Sequence, residues 1–404
     1  MKAIFVCERL PSLGFSGAQS YNLNIINALL DCGYEVTVII TGDYFPAIFS
    51  SKYEIKHPQV KTKYVNAVKI FSIYLSKSWR SFLRPLKKIS YLFFDSHSPQ
   101  KKMTIGKFLS KRDTNSTKKL ITKECSLVVV DTIFRSAIID ELSSKKILIA
   151  HDVFFDRTKS FQKRGYEVSP SITKDKEIGI WKEFDCIAAI NIEEMDLISS
   201  LIKNKSVVTI YPSVSNNTYP ALRTYNGSSI LYIGANANHN VDGLKWFFNE
   251  IWPTILKQHP NIHLNIIGSV CDAFQSPPEN VNFLGRLDSI EEIAKDCLFA
   301  INPVLMGSGI KIKILDYLAL GLPTITTKEG GYGYPKGDHV PYICVSTASE
   351  YINAISSWIG DRKLVTERAE YCSAVLEIFT RKSAAKSMAG CFKKLGLNSD
   401  TDTI

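Results

Sequence analysis

Short apolar runs alternate with amphipathic stretches of helical spacing along most of this chain, and that alternation restricts the fold more than any other feature. Residues 2 to 7, KAIFVC, form the first run. A loop follows, then a stretch in which Leu23, Ile26, Asn27 and Leu30 recur at helical spacing until Gly33 stops it, and an alternating strand at 35 to 40 completes the unit. CSLVVV (125 to 130), KKILIA (145 to 150), CIAAI (186 to 190) and SVVTI (206 to 210) continue the series between polar or helical segments. Strands separated by helices imply a parallel sheet covered on both faces.

The pattern restarts after a turn-rich stretch, YPSVSNNTYPALRTYNGSS, which places a boundary near residues 212 to 228. ILYIG (230 to 234), the helix VDGLKWFFNEIWPTIL, HLNIIG (263 to 268), VNFLGRL, LFAINP, a further helix and PTITT form a second α/β unit. From about 348 the chain reads as helical and amphipathic to Leu397, then as a polar tail. With 404 residues, two domains of ordinary size are expected. The expected fold class is α/β: two doubly wound, Rossmann-like parallel sheets, residues 1–212 and 213–375, with ligands in a cleft at the strands' carboxyl ends and a closing segment at 376–404.

Charge and cysteine usage bound the partners. Residues 51–123 hold 18 Lys and Arg against Glu54, Asp95 and Asp113, a local +15, whereas the remainder has 31 basic and 36 acidic residues. Within it KIFSIYLSKSWRSFLRPLKKISYLFF interleaves apolar and basic residues, the composition of a segment on an anionic membrane surface, with a solvated basic face as the competing reading. No helix-turn-helix, RNA-recognition or zinc-finger spacing accompanies the charge, so nucleic acid is not expected. The opening MKAIFVCERLP is too short for a signal peptide and no run reaches the length of a membrane span, which leads to the expectation of a cytoplasmic protein, peripheral on the inner face of the membrane. Nine scattered cysteines without a CxxC pair are read as reduced core residues, and neither a metal nor a cofactor is expected. The Asp400–Asp402 pair falls in the polar tail and is read as no metal site.

The chemistry concentrates in NPVLMGSGIKIKILDYLALG. A strand at 298–302 leads into Gly307, Ser308 and Gly309 and then into an expected helix of about a dozen residues, with Ile312, Leu315, Leu318 and Ala319 as its buried stripe. Glycines at a helix N-terminus admit a phosphate to unpaired N–H groups, Lys311 and Lys313 are free to reach the anion or the solvent, and Asp316 is placed to accept ribose hydroxyls.

In their order and spacing, ILYIGANANHNVDGLKWFFNEIWPTILKQHPNIHLNIIGS and VNFLGRLDSIEEIAKDCLFAINPVLMGSGIKIKILDYLALGLPTITT resemble the donor-binding domain of GT-B glycosyltransferases of the group 1 (family 4) superfamily. GFSGAQSYNLNIINALLDCGYEVTVI resembles the same fold's first glycine loop and helix, and IAHDVFFDRTKSF and FDCIAAINIEEMDLIS add to the likeness. The two glutamates of the family's E-x7-E pattern fall here on Ser308 and Asp316. The resemblance implies transfer of a sugar from a nucleotide-diphosphate sugar to an acceptor hydroxyl, with retention of configuration as in most relatives; the basic segment adds the expectation that the acceptor is a lipid-linked saccharide of capsule or lipopolysaccharide. It implies the donor on the C-terminal domain, the acceptor on the N-terminal domain and a return segment packing on the first domain. His151 and Asp152, directly after KKILIA, become the catalytic candidates. Gly17, Gly234, Asn240, Arg286, Gly307, Ser308, Gly309, Lys311, Lys313 and Asp316 become the donor-binding ones. Glu177 and Glu183 are weaker candidates facing the acceptor, and His239 reads as a loop residue. A degenerate sugar-binding scaffold and a sugar-nucleotide epimerase are the alternatives on this architecture.

Overall fold

The computed structural model describes residues 1–12, 17–43, 45–46, 48–50, 53–77, 101–122, 124–214 and 225–397. Most of the interleaved basic and aromatic stretch, from residue 78 to 94, lies outside them, as do Asp400 and Asp402. The chain forms two compact units, one of Met1–Ser213 with the segment from Arg381 onward, the other of Val214–Thr380.

Among the described residues of the first unit, twelve strands run in chain order. They are β1 (Lys2–Cys7), β2 (Glu35–Ile40), β3 (Ile48–Ser50), β4 (Val60–Tyr64), β5 (Ala67–Ile70), β6 (Ile73–Ser76), β7 (Lys102–Thr104), β8 (Leu127–Asp131), β9 (Lys145–Ala150), β10 (Glu167–Ser169), β11 (Cys186–Ala189) and β12 (Ser206–Thr209). Seven form a sheet in the order β12-β11-β9-β8-β1-β2-β4, and every pairing in it is parallel. The five residues of β8 are all buried and β1 is buried from Ala3 to Cys7, the continuous apolar reading of strands covered on both faces. The sequence located six of these seven strands to within two residues and missed β4, whose VKTKY is too polar to stand out as an apolar run. It did not show the antiparallel sheet β3-β6-β5 or the short pair β7 and β10, whose strands of three or four residues carry too little period to be read.

The first helix, Gly17–Asp31, buries Tyr21, Ile25, Ile26, Ala28 and Leu29, whereas Leu23, Asn27 and Leu30 of the expected stripe are only half-buried. The stripe is wider than expected because the helix has a second neighbour, the terminal helix Arg381–Leu395. Phe392 of that helix meets the Tyr34 ring at 5.0 Å, Arg381 grips Asp31 with two hydrogen bonds of 2.7 and 2.6 Å, and Cys391 Sγ lies 3.1 Å from Cys186 Sγ.

Glu177 does not face outward. It is fully buried, and its two carboxylate oxygens accept the backbone N–H groups of Phe154 (3.0 Å) and Phe155 (2.7 Å), the orphan donors that open the helix Phe154–Gln162. Glu183 closes the helix Lys174–Lys182 and is exposed.

The second unit has β13 (Ser229–Ile233), β14 (His263–Ile267), β15 (Val281–Gly285), β16 (Cys297–Asn302), β17 (Thr324–Thr327) and β18 (Tyr342–Val345) in the parallel order β15-β14-β13-β16-β17-β18. Leu244 and Phe247 of the helix Asn238–Glu250, with Trp252, Phe299, Tyr351 and Trp358, fill its main core. Helices Ala348–Gly360, Arg362–Ala369 and Cys372–Leu376 continue the predicted amphipathic run.

Two measurements test this packing. Phe392→Ala is expected to cost the first unit about 3–5 kcal/mol, as for other buried aromatics, while Arg381→Met, which removes a half-exposed pair, costs under about 1 kcal/mol in denaturant titration. Burial pushes the Glu177 carboxyl up from 4.5 to about 8, against the two N–H groups that favour its charge. The folded unit therefore holds a proton that the unfolded chain has released, and stability falls as pH rises from about 4.5 to 8, by at most about 1.4 kcal/mol per pH unit. Glu177→Gln should flatten that slope; a slope unchanged in the variant refutes the assignment.

Candidate active site

In the second unit the strand order reverses between β13 and β16, and in open α/β sheets ligands collect outside the carboxyl ends of the strands at such a point. The strand ends here are reduced to backbone. A Cβ on Gly268, whose φ is 109°, would stand 2.2 Å from the Gly234 carbonyl oxygen, and one on Gly234 would come within 2.8 Å of the Tyr232 ring. Gly234 N–H donates to Ile267 (2.9 Å) and Gly268 N–H to Gly285 (2.6 Å), so the ends of β13, β14 and β15 are bonded in a row.

Beside Gly234 the helix Asn238–Glu250 turns Asn240 inward. Its Nδ2 donates to the Ala235 carbonyl at 2.9 Å, which fixes the amide, and its Oδ1 accepts from Lys313 Nζ at 2.7 Å. Lys313 Nζ also donates to the Tyr232 hydroxyl at 3.0 Å and stands 4.4 Å from the centre of that ring. Burial, reinforced by repulsion from Lys311 and partly offset by Asp316, brings the Lys313 ammonium down to about 7. An anion placed beside the ammonium would relieve that penalty.

The glycine turn differs from expectation. Gly307 (φ 112°) and Gly309 (φ 69°) are both left-handed, and the helix begins only at Lys313 and ends at Ala319. Its buried side chains are Ile314, Leu315, Tyr317 and Leu318, so Ile312 and Ala319 are not in the deep stripe. Neither lysine is free. Lys311 folds back to donate from Nζ to the carbonyls of Ser308 (3.0 Å) and Gly309 (2.9 Å), and the Tyr334 hydroxyl donates to the Lys311 carbonyl at 2.9 Å. The cation clamps the turn rather than reaching away from it. Asp316, one helical turn past Lys313, is exposed. Arg286 is exposed directly after β15, and His239 lies in the first turn of the helix Asn238–Glu250.

The first unit has its own reversal, between β8 and β1. His151 follows β9, beside β8, and is nearly buried. Its Nε2 lies 2.7 Å from Asp131 Oδ1 and 3.0 Å from Asn22 Oδ1, and its ring meets Tyr21 edge-on at 5.1 Å. Tyr21 is fixed in turn by donating to the Ile210 carbonyl at 2.5 Å. Burial pushes the Asp131 carboxyl up, but His151, Arg135 and Asn22 outweigh it and hold the carboxyl below its ordinary range. Buried Arg135 donates to Glu8 Oε2 at 2.5 Å and to the Thr132 hydroxyl at 3.2 Å. Thr132 itself has φ 64°, a conformation that costs a β-branched residue about 1–3 kcal/mol.

Asp152, the companion of His151 in the sequence, forms an ion pair with Arg157 at 2.5 Å and does not join the Asp131–His151 pair. Gly17 opens the first helix and is exposed. Sequence reasoning missed Glu8, Asn22, Asp131 and Arg135. The signal that selected His151, a polar residue at the end of a buried strand, also marks Glu8 after KAIFVC and Asp131 at the end of β8.

Comparison with known proteins joins these observations. Residues 227–361 match the family model described as "Glycosyl transferases group 1". Over 243 residues, 55% of this chain, the sequence is 26% identical to an "Uncharacterized 44.6 kDa protein in cps region" of Klebsiella pneumoniae; the chain spans 61% of that relative's length. The sucrose-phosphate synthase (tll1590) from Thermosynechococcus elongatus superposes with a TM-score of 0.67 at 12% identity, covering 98% of this chain and 99% of that one. A point mutant of S. aureus TarM, solved in complex with fondaparinux, alpha-GlcNAc-glycerol and UDP, superposes with a TM-score of 0.65 at 11% identity, covering 97% and 99%. The chain has the fold of the GT-B glycosyltransferases, and within it residues 227–361 are similar to the group 1 glycosyl transferases.

Proposed function

We propose that this protein transfers a sugar from a nucleotide-diphosphate sugar to a hydroxyl of a saccharide acceptor during synthesis of a cell-surface polysaccharide. The observation that carries the reading is the Lys313 ammonium, aimed by Asn240 and Tyr232 at the strand-order reversal of the second unit, with Asp316 one turn beyond it. The UDP in the TarM complex and the cps region of the Klebsiella pneumoniae relative support the choice of nucleotide-sugar and of polysaccharide.

In the reaction proposed, the bond between the anomeric carbon and the diphosphate oxygen breaks with its electron pair on the diphosphate. The acceptor oxygen bonds to that carbon, and its proton passes to the departing phosphate on the same face, which retains configuration. The developing charge on the diphosphate is met by Lys313 and by backbone N–H groups of Gly307, Ser308 and Gly309, a preorganised electrostatic site that needs no metal or other cofactor. Lys311 acts at one remove, by holding the turn. Asp316 accepts the ribose hydroxyls, and Gly234 leaves room for the nucleotide beside Asn240; Arg286 is assigned to the base. His151, oriented by Asp131 and Asn22, is assigned to the transferred sugar. Asp152 and Gly17 are assigned to the acceptor side. The acceptor is taken to be lipid-linked and the enzyme to work at the cytoplasmic membrane surface, because residues 51–123 carry their large excess of positive charge, and each basic residue near an anionic leaflet contributes about 1 kcal/mol.

Calorimetric titration of UDP, GDP, dTDP, ADP and CMP should show preference for one nucleoside diphosphate, weakened at least tenfold in Asp316→Ala, about 1.4 kcal/mol of ribose recognition. A folded wild type that binds none of them overturns the donor site. With the donor so identified, His151→Ala should lower turnover far more than nucleotide affinity, and equal losses in both would remove the residue from the chemistry.

A further inference from the structure

The small antiparallel sheet β3-β6-β5 is apolar on both faces, which a sheet meeting water on one side does not need. Its registers set Ile48 opposite Leu75, Leu75 opposite Val68, and Ile70 opposite Ile73. Since side chains alternate along a strand, these five aliphatic residues share one face. All five are exposed, Ile48 to 62%. The other face is packed: Phe49 stacks on Tyr74 at 4.9 Å, both meet Tyr64, and Phe45 closes the cluster at 4.7 Å from Phe49.

The tip of the β5–β6 hairpin sharpens the anomaly. Its two-residue turn is Phe71–Ser72, and Phe71 is 96% exposed with φ 53°. Glycine or asparagine normally supplies positive φ in such a turn. Here a large aromatic ring is held outward at the cost of backbone strain, next to Ile70 and Ile73.

The charge around this face selects its occupant. Between Glu54 and Asp95 the sequence has nine Lys and Arg and no acidic residue. Lys56, Lys61 and Lys77 are exposed, and Glu54 is already committed, on the packed side, to Lys69 at 2.7 Å and to the Tyr74 hydroxyl. A second copy docked through the same face would bring two strongly basic segments together. An anionic bilayer offers both the acyl region for the aliphatic face and headgroups for the cations.

We infer that the β3-β6-β5 sheet is a membrane-docking element, with Phe71, Ile70 and Ile73 entering the acyl boundary of an anionic lipid surface and exposed lysines of the same basic segment drawn to its headgroups. The inference deepens the membrane placement proposed above and does not depend on the nucleotide chemistry.

The test is sedimentation of the full chain with phosphatidylcholine vesicles, with and without phosphatidylglycerol, alongside nucleotide calorimetry. Wild type should bind the phosphatidylglycerol vesicles, less strongly but still measurably at high salt. Phe71→Asp should weaken partitioning at least tenfold and leave nucleotide affinity unchanged. Phe71→Gly should also weaken it while raising the melting temperature, because the ring is lost and the turn relaxes. In Phe71→Trp, emission of the introduced tryptophan should shift to the blue on binding and be quenched by brominated acyl chains. Wild type that ignores anionic vesicles overturns both the docking element and the membrane placement. Vesicle binding equal in wild type and Phe71→Asp overturns the docking element alone and leaves the basic segment as the contact. A dimer in lipid-free solution that Phe71→Asp dissolves also overturns it, by assigning the face to a second copy.

Discussion

Covering both faces of a parallel sheet is the constraint from which the rest of this molecule follows. Each buried strand satisfies its backbone through its neighbours and leaves its interior to apolar or small hydrogen-bonded side chains rather than charged ones, as the uninterrupted burial of β8, β9 and β16 from Leu127, Ile147 and Cys297 onward shows. Polar chemistry is thereby driven to the strand ends. Where the strand order reverses, adjacent crossovers leave on opposite sides of the sheet and a gap opens at the carboxyl ends. The two reversals, β8 with β1 and β13 with β16, are where each unit gathers its inward-turned polar groups: Asp131, His151, Asn22 and Arg135 in one, Asn240 and Lys313 in the other.

The two clusters solve the cost of buried charge differently. In the first, opposite charges and hydrogen bonds are supplied by the protein itself, and Asp131 stays ionised because His151 and Arg135 outweigh its burial. In the second, Lys313 has neutral oxygen partners in Asn240 and Tyr232, with Asp316 only a partial counterweight, so its ammonium is held near 7. A cation left short of compensating charge favours an anion from outside. That difference separates a cluster whose charges are compensated within the fold from one that leaves a cation open to an external anion, the role proposed for it.

Legibility in the sequence followed the same physics. Strands such as KAIFVC and KKILIA were readable because double-sided burial makes them continuous apolar runs, and the group 1 segments were readable because their glycines and apolar residues keep a fixed order. The stretch GIKIKIL was not. Alternation of Ile and Lys does not mark where a helix starts, and the chain turns at left-handed Gly309 and becomes helical only at Lys313. Hence the expected stripe through Ile312 and Ala319 was displaced to Ile314 and Tyr317. The partners of His151 were hidden for another reason. Asn22 and Asp131 are 129 and 20 positions away, and only sheet order brings them to one point. Glu177, read as a weak candidate facing the acceptor, instead satisfies the N–H groups of Phe154 and Phe155, a need visible only once the neighbouring helix is in place.

Strain is placed where rigidity has a use. Thr132 adopts its left-handed φ immediately after Asp131, and its hydroxyl accepts from Arg135, which in turn holds Glu8 beyond the end of β1. Relaxing Thr132 would move Arg135 and so unbalance Asp131, the group that aims His151. The strain is thus retained by the same charge network that it positions. Lys311 does the equivalent work in the second unit: its ammonium spans the carbonyls of Ser308 and Gly309, so a turn built from flexible glycines is fixed by a side chain three residues away from its centre. A glycine turn alone has too much freedom to hold amides at a set distance from an anion. Clamped by Lys311 and backed by Tyr334, the turn is held in one arrangement and the entropy of ordering it is met in folding, so that in the proposed reaction it need not be ordered again when the donor binds.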